Sequence, residues 1–164
     1  MLTVVFPPQI IVQPTNQAVL VGSNATFVVS ATGTAPLSYH WWYNGTNALA
    51  AATATLTITG AQLTNIGNYY VVVTNNYGAA TSVVAYLSVA LPPVIQSVTL
   101  SNGQLKMTWN GATGFTYQLQ YTTNLLPAYW SNLGGPIFAT NNIVTGYDVI
   151  SSGPQRFYRV SLVP

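Results

Sequence analysis

Charge is almost missing from this sequence. Its ionic side chains are Lys106, Arg156, Arg159 and Asp148; there is no glutamate, and the one histidine is His40. Charged residues make up 2% of the chain, against roughly 25% in an ordinary soluble domain. That deficit excludes several classes of function. A nucleic-acid binder needs a row of Lys and Arg to displace counterions from phosphates, and this chain cannot supply one. A carboxylate pair for acid–base chemistry cannot be built from a single Asp. Zinc sites draw on several Cys, His or carboxylate ligands, and a calcium site resting on one carboxylate would be weak. A Ser-His-Asp triad would have to combine His40 and Asp148 from opposite halves of the chain, and there is no Gly-x-Ser-x-Gly elbow. The glycines follow strand turns and open no helix, which leaves no phosphate loop. The sequence reads as non-enzymatic, with no cofactor and no metal.

Cysteine is also absent, so disulfides say nothing about the redox compartment. No apolar run approaches the roughly 18 residues that a membrane helix requires, and no membrane insertion is expected. The opening Met1-Leu2-Thr3-Val4-Val5-Phe6-Pro7-Pro8 has neither a basic region nor a full hydrophobic stretch of the secretory kind. It belongs either to a mature or excised piece of a longer secreted precursor, the reading we prefer, or to a chain whose true start is missing. Helical periodicity is missing too.

What remains is an apolar fraction of 49% and a polar complement of Thr, Ser and Asn. These groups bind water without repelling a neighbouring copy. A surface so neutral lacks the self-repulsion that keeps proteins apart. Short runs rich in Val, Ile, Thr, Tyr and Phe recur between Gly, Pro and Asn clusters, the pattern of an all-β sandwich. Strands are expected over residues 2–6, 10–13, 18–21, 25–31, 38–43, 55–59, 67–75 and 79–90. After a break come 94–100, 104–110, 116–122, 129–133, 143–150 and 156–162. Asn44-Gly45 and Asn102-Gly103 are hairpin turn signals. The pairs Pro7-Pro8 and Pro92-Pro93 divide the chain into an extended leader over 1–7 and domains over 8–91 and 92–164. Proline lacks the ladder donor and holds the preceding residue extended, so two domains joined in this way should form a semi-rigid rod.

Four segments of the first domain fall in one register. Residues 22–33 (Gly-Ser-Asn-Ala-Thr-Phe-Val-Val-Ser-Ala-Thr-Gly) read as strand B, with Val29 at the usual first cysteine position. Tyr39-His40-Trp41-Trp42-Tyr43-Asn44-Gly45 reads as strand C around Trp41, and Leu56-Thr57-Ile58 fits strand E. Asn65-Ile66-Gly67-Asn68-Tyr69-Tyr70-Val71 matches Asp-x-Gly-x-Tyr-x-Cys, with Tyr69 as a tyrosine corner and Val71 at the second cysteine position. On these residues the first domain resembles the immunoglobulin-like repeats of large bacterial surface and secreted proteins. The resemblance implies a buried core of Val29, Trp41, Tyr69 and Val71, an extracellular or cell-surface location, and a domain held by packing where its relatives carry a crosslink. Such a crosslink is worth roughly 2–5 kcal/mol in small secreted domains. Asn65 stands where the family has Asp, losing a charge and keeping an acceptor. Met107-Thr108-Trp109 with Tyr117-Gln118-Leu119-Gln120-Tyr121 resembles strands B and C of a fibronectin type III-like sandwich, and the stretch Arg156-Phe157-Tyr158-Arg159 is similar to the end of modules that follow such domains. At about 72 residues this half is short for seven strands and is expected to borrow one.

Period-two alternation turns His40, Trp42, Tyr70 and Val72 outward on one sheet. They form either ordinary cross-strand pairs or a contact face for another copy or a glycan. Leu2, Thr3, Val4, Val5 and Phe6 form either the end of a preceding segment or a donor strand for an exposed sheet edge. Such edges are usually guarded by Lys or inward charges, and Lys106 is the only lysine. Asn24-Ala25-Thr26 and Asn44-Gly45-Thr46 match the N-glycosylation pattern, as chance alone allows in a chain rich in Asn and Thr. Arg156 and Arg159 have only Asp148 as an acidic partner; they are either solvated or carbonyl-bonded, or they contact a partner. The sequence therefore predicts two tandem sandwiches in an extracellular structural protein. It would be a subunit or rod segment of a fibre, stalk or surface layer, with neighbouring copies as partners. An adhesin segment or a carbohydrate-binding module of a larger secreted protein is the alternative.

Overall fold

A computed structural model describes residues 4–150 and 155–163. Among them no α-helix forms, and a single 3-10 turn spans Leu63–Asn65. The chain divides into two compact units, Met1–Val89 and Ala90–Pro164.

The first unit contains β1 (Gln9–Val12), β2 (Gln17–Leu20), β3 (Ala25–Val28), β4 (Ser30–Thr32) and β5 (Ser38–Tyr43). It continues with β6 (Asn47–Ala48), β7 (Thr55–Ile58), β8 (Gly67–Asn75), β9 (Gly78–Thr81) and β10 (Ala85–Ala90). One layer holds β1 beside β4 and β3 beside β7; the other runs β2-β10-β8-β5-β6, with β9 also on β8. Side chains alternate between the two faces of each strand. Gly67, Tyr69, Val71 and Val73 of β8 are therefore buried while their neighbours are exposed or half-buried.

Trp41, Phe27, Tyr69, Val29 and Val71 lie in one buried cluster. The Phe27 and Tyr69 rings are stacked at 4.9 Å, and Phe27 meets Trp41 at 6.3 Å. Both polar ends of this core are satisfied. Trp41 Nε1 donates to the Thr53 carbonyl at 2.9 Å, and Tyr69 Oη donates to the Asn65 carbonyl at 2.8 Å. Asn65 Oδ1 accepts the Gln62 amide at 2.8 Å, so the amide does work that needs an acceptor but no charge. Gly67 is fixed by close approach, since a Cβ there would lie 2.7 Å from the Tyr43 ring and would also strike the Asn44 amide.

Two expected strands are broken by contacts with distant residues, and a third does not form among the described residues. The run at 25–31 divides at Val29, whose amide turns to the Ala54 carbonyl at 2.9 Å. The run at 79–90 divides around Ser82, whose hydroxyl accepts the Val71 amide at 3.0 Å and donates to the Val83 carbonyl at 2.8 Å. The strand expected over 2–6 does not form in its described part, and Leu2 and Thr3 lie outside the described residues. Asn44 and Gly45 both adopt positive φ, yet Tyr43 pairs with Asn47, so this turn spans more residues than a two-residue hairpin. Asn102-Gly103 makes the two-residue turn, with φ of 51° and 75° between the paired Ser101 and Gln104.

Pro7-Pro8 is docked on the first unit. Pro8 is buried, and a Cβ on Gly33 would lie 3.0 Å from its Cα, while one on Gly78 would lie 3.0 Å from Pro7 Cβ. Asn75 Nδ2 donates to the Phe6 carbonyl at 2.9 Å and to the Thr34 carbonyl at 2.8 Å. Pro92-Pro93 is held in the second unit by a similar device, with Asn110 Nδ2 donating to the Pro92 carbonyl at 3.1 Å.

The second unit contains β11 (Ile95–Ser101), β12 (Gln104–Asn110), β13 (Thr116–Thr122), β14 (Ser131–Asn132), β15 (Ile137–Phe138), β16 (Ile143–Val149) and β17 (Phe157–Val163). One sheet runs β11-β12-β16; in the other, β13 is flanked by β14 and β15 on one side and by β17 on the other. Trp109, Met107, Tyr117 and Leu119 are buried between the sheets, with Trp109 edge-on to Tyr117 at 6.5 Å. Gly146 is required here, because a Cβ would lie 2.8 Å from Leu119 Cδ2.

Removing the central indole leaves a cavity and an unpaired Thr53 carbonyl. Trp41→Ala is expected to destabilise the first unit by roughly 3–5 kcal/mol, read as a shift of its urea unfolding midpoint with the second unit's transition unmoved.

Candidate interaction surface

Two aromatic faces lie on the outside of the sandwiches. The first is the one expected on β5 and β8. Trp42 pairs directly with Tyr70, and His40 with Val72, so register places all four side chains on the face opposite Trp41 and Tyr69. His40 is exposed; Trp42, Tyr70 and Val72 are half-buried. The Trp42 and Tyr70 rings are nearly parallel, with centroids 6.3 Å apart and 10° between planes. Trp42 Nε1 is buried without a partner. The pair is thus a cross-strand aromatic contact, with His40 exposed on the same face.

The second face was missed by sequence reasoning. It lies on the outside of β13 and β17. Arg159 Cζ sits 4.4 Å from the centroid of Trp130, and Arg159 Nε donates to Gln120 Oε1 at 2.8 Å. Gln120 Nε2 in turn donates to Asn132 Oδ1 at 2.7 Å. The neighbouring Tyr129 is exposed. The outward position of Gln120 was legible from alternation. The approach of Trp130 was not, because a loop sets it.

Arg156 faces a different environment. It donates to Asp148 Oδ2 at 2.6 Å and lies over the Tyr121 ring at 4.7 Å. Tyr158 Oη donates to the same oxygen at 2.8 Å. Asp148 is buried on β16, so this contact joins the two sheets of the unit. The reading of Arg156 and Arg159 as solvated or carbonyl-bonded is corrected: one is ion-paired, and the other is bound by an amide and an indole. The hydrogen bond to Asp148 is the main reason the Arg156 guanidinium is held above its ordinary range.

The carboxamide oxygens in both N-glycosylation matches accept backbone hydrogen bonds. Asn24 Oδ1 accepts the Gly60 amide at 2.9 Å, and Asn44 Oδ1 accepts the Asn68 amide at 2.9 Å. Among the described residues, no group of three or more His, Cys, Asp or Glu could hold a metal ion. No helix among them is long and apolar enough to cross a membrane.

The family described as "Immunoglobulin domain" matches residues 7–75. A crystal structure of a titin M10 complex with an obscurin-like 1 immunoglobulin domain is 27% identical, with a TM-score of 0.50 over 55% of this chain and 99% of that one. A three-immunoglobulin segment of titin matches 96% of this chain and 65% of its own, with 14% identity and a TM-score of 0.58. Immunoglobulin domains 1–4 of Sidekick-1 match 72% of this chain and 35% of theirs, at 24% identity and a TM-score of 0.52. No curated relative matches.

One measurement tests the buried hydroxyls and another the outer face. Burial, and secondarily Tyr43, pushes the Tyr69 hydroxyl up to about 12. Burial, followed by the bond to Asp148, does the same for Tyr158. Folding therefore favours both neutral phenols. Their contribution to stability should be complete below about pH 10 and lost as the pH rises toward 12, which chemical unfolding across that window will show. For the outer face, a double-mutant cycle of Trp42→Ala and Tyr70→Ala should return a coupling of about 0.5–1.5 kcal/mol. The chain is an all-β protein with an immunoglobulin-like sandwich fold.

Proposed function

We propose that this chain is a non-catalytic extracellular structural protein, a subunit or rod segment of a fibre, stalk or surface layer that assembles through strand edges and apolar faces. One observation carries the reading. The exposed surface is rich in apolar side chains, among them Ile11, Val28, Val84, Leu126, Ile143 and Val149, and only four side chains of the whole sequence are Lys, Arg or Asp. Such a surface neither repels a second copy nor guards its sheet edges. In this reading the second unit is fibronectin type III-like, supported by its three-stranded sheet facing a sheet built on β13.

A specific observation also favours a second reading, a carbohydrate-binding module. The Trp130–Arg159 stack, Gln120, Asn132 and exposed Tyr129 combine an aromatic platform with amide donors and acceptors. A polysaccharide pull-down with a Trp130→Ala control distinguishes it.

Micrographs of the purified chain test the main reading. Filaments or sheets are expected, unchanged from low to molar NaCl, because few surface charges are available to be screened. Monodisperse particles at all concentrations would overturn it.

A further inference from the structure

The second unit is open along one side, and two separate features mark the opening. The first is β17. It pairs with β13 along its whole length, and among the described residues nothing pairs with its other edge. Its register puts Tyr158, Val160 and Leu162 opposite Tyr121, Leu119 and Tyr117. Val160 and Leu162 therefore face the interior, yet they are only half-buried, while Leu119 and Tyr117 are buried.

The second feature is β11. Val98 pairs with Met107 and Leu100 with Leu105. Cross-strand partners share a face, and Met107 and Leu105 are buried, so Val98 and Leu100 also point inward. They are nevertheless 55% and 62% exposed. An inward-facing apolar side chain is left in solvent when the facing sheet ends too early to cover it. The start of β16 lies on the β15 side, since a Cβ on Gly111 would meet both Val144 and Ala139. The far edge of that sheet, β11, therefore lies toward β17. One added strand beside β17, apolar on its inner face, would satisfy the edge and extend that sheet toward Val98 and Leu100.

We infer that this seam is a strand-acceptor site, and that its occupant is the leader of a second copy, Leu2-Thr3-Val4-Val5. The inference deepens the structural-subunit reading and rests on it. A strand in this place needs apolar residues at alternate positions and no charge, and Leu2 and Val4 meet that pattern. Val4 is 65% exposed and belongs to no strand in its own unit. Four extended residues span about 13 Å and the seven of β17 about 23 Å, so the leader fits within the edge. Phe6 ends the ladder, because its amide donates to Thr34 Oγ1 at 2.8 Å and its carbonyl accepts from Asn75 and Thr34, which fixes the point at which the leader departs its own unit. The neutral surface imposes no repulsion on the approach of the second copy.

The absence of cysteine makes the test direct, because any disulfide must come from an introduced pair. Chains carrying Val4→Cys and chains carrying Leu100→Cys are mixed and oxidised, with Val12→Cys, exposed on β1, as the control donor. The expected result is a Val4–Leu100 linked dimer at ten or more times the yield of the control. Equal yields would overturn the proposal. An intrachain disulfide in the doubly substituted chain at high dilution would overturn the second copy as occupant. The unsubstituted chain supplies an independent reading, in which amide exchange in Phe157–Val163 slows at least ten-fold with rising concentration. Exchange independent of concentration would overturn it. Filaments without the crosslink would reject the seam and leave the subunit reading standing, whereas crosslinked closed dimers without filaments would do the reverse.

Discussion

Every strand in a sheet has two edges of hydrogen-bonding groups, and each edge must be paired, hydrated or covered. This constraint shapes the whole molecule, because the chain discards the usual means of managing it. With one lysine and one aspartate, it cannot place charges along its edges. Within the first unit the ladders do most of the satisfying, with β8 flanked by β5, β9 and β10. In the second unit the same constraint is met on one side of β13–β17 only.

Side-chain amides take over much of the work that ion pairs and crosslinks do elsewhere. Gln13 accepts the Val83 amide at 3.0 Å and Asn16 the Tyr86 amide at 2.8 Å, tying the start of the chain to the strand at the far end of the first unit. Asn44, Asn75 and Asn110 hold a turn and the two proline connectors. Each such bond is worth about 0.5–1.5 kcal/mol and none depends on ionic strength. The exception is the Asp148–Arg156–Tyr158 cluster, where the single acidic residue is placed between the sheets. The valines at positions 29 and 71 fit the same pattern. They fill the space beside Trp41, and the stacked Phe27, Tyr69 and Tyr43 rings extend the packing around it.

Much of the first unit was legible because its signals are local or register-bound. Burial alternates along β5 and β8 as the aromatic residues suggest, and Tyr69 reaches back to a carbonyl only four residues upstream. The breaks were not legible, since each depends on a partner far along the chain, such as Ser82 with Val71. The short strands β6 and β15 carry too few residues for any period to register. The outer face of Trp42 and Tyr70 followed from alternation, whereas the Trp130–Arg159 stack required a loop to fold over a strand. The docking of Pro7-Pro8 was hidden for a similar reason, because the glycines that admit it, Gly33 and Gly78, are distant in sequence.

The sequence by itself determined that this is an all-β chain, that its core holds no disulfide, and that charged side chains are scarce along it. Those conclusions follow from composition and period, which are properties of neighbouring residues. Only the tertiary structure decided which edges are left open and which apolar side chains point inward without cover. Val98 and Leu100 look like ordinary strand residues in the sequence. Their exposure has meaning only once the buried partners across the ladder, Met107 and Leu105, show which way they face. Coverage belongs to two sheets at once, and no single strand encodes it.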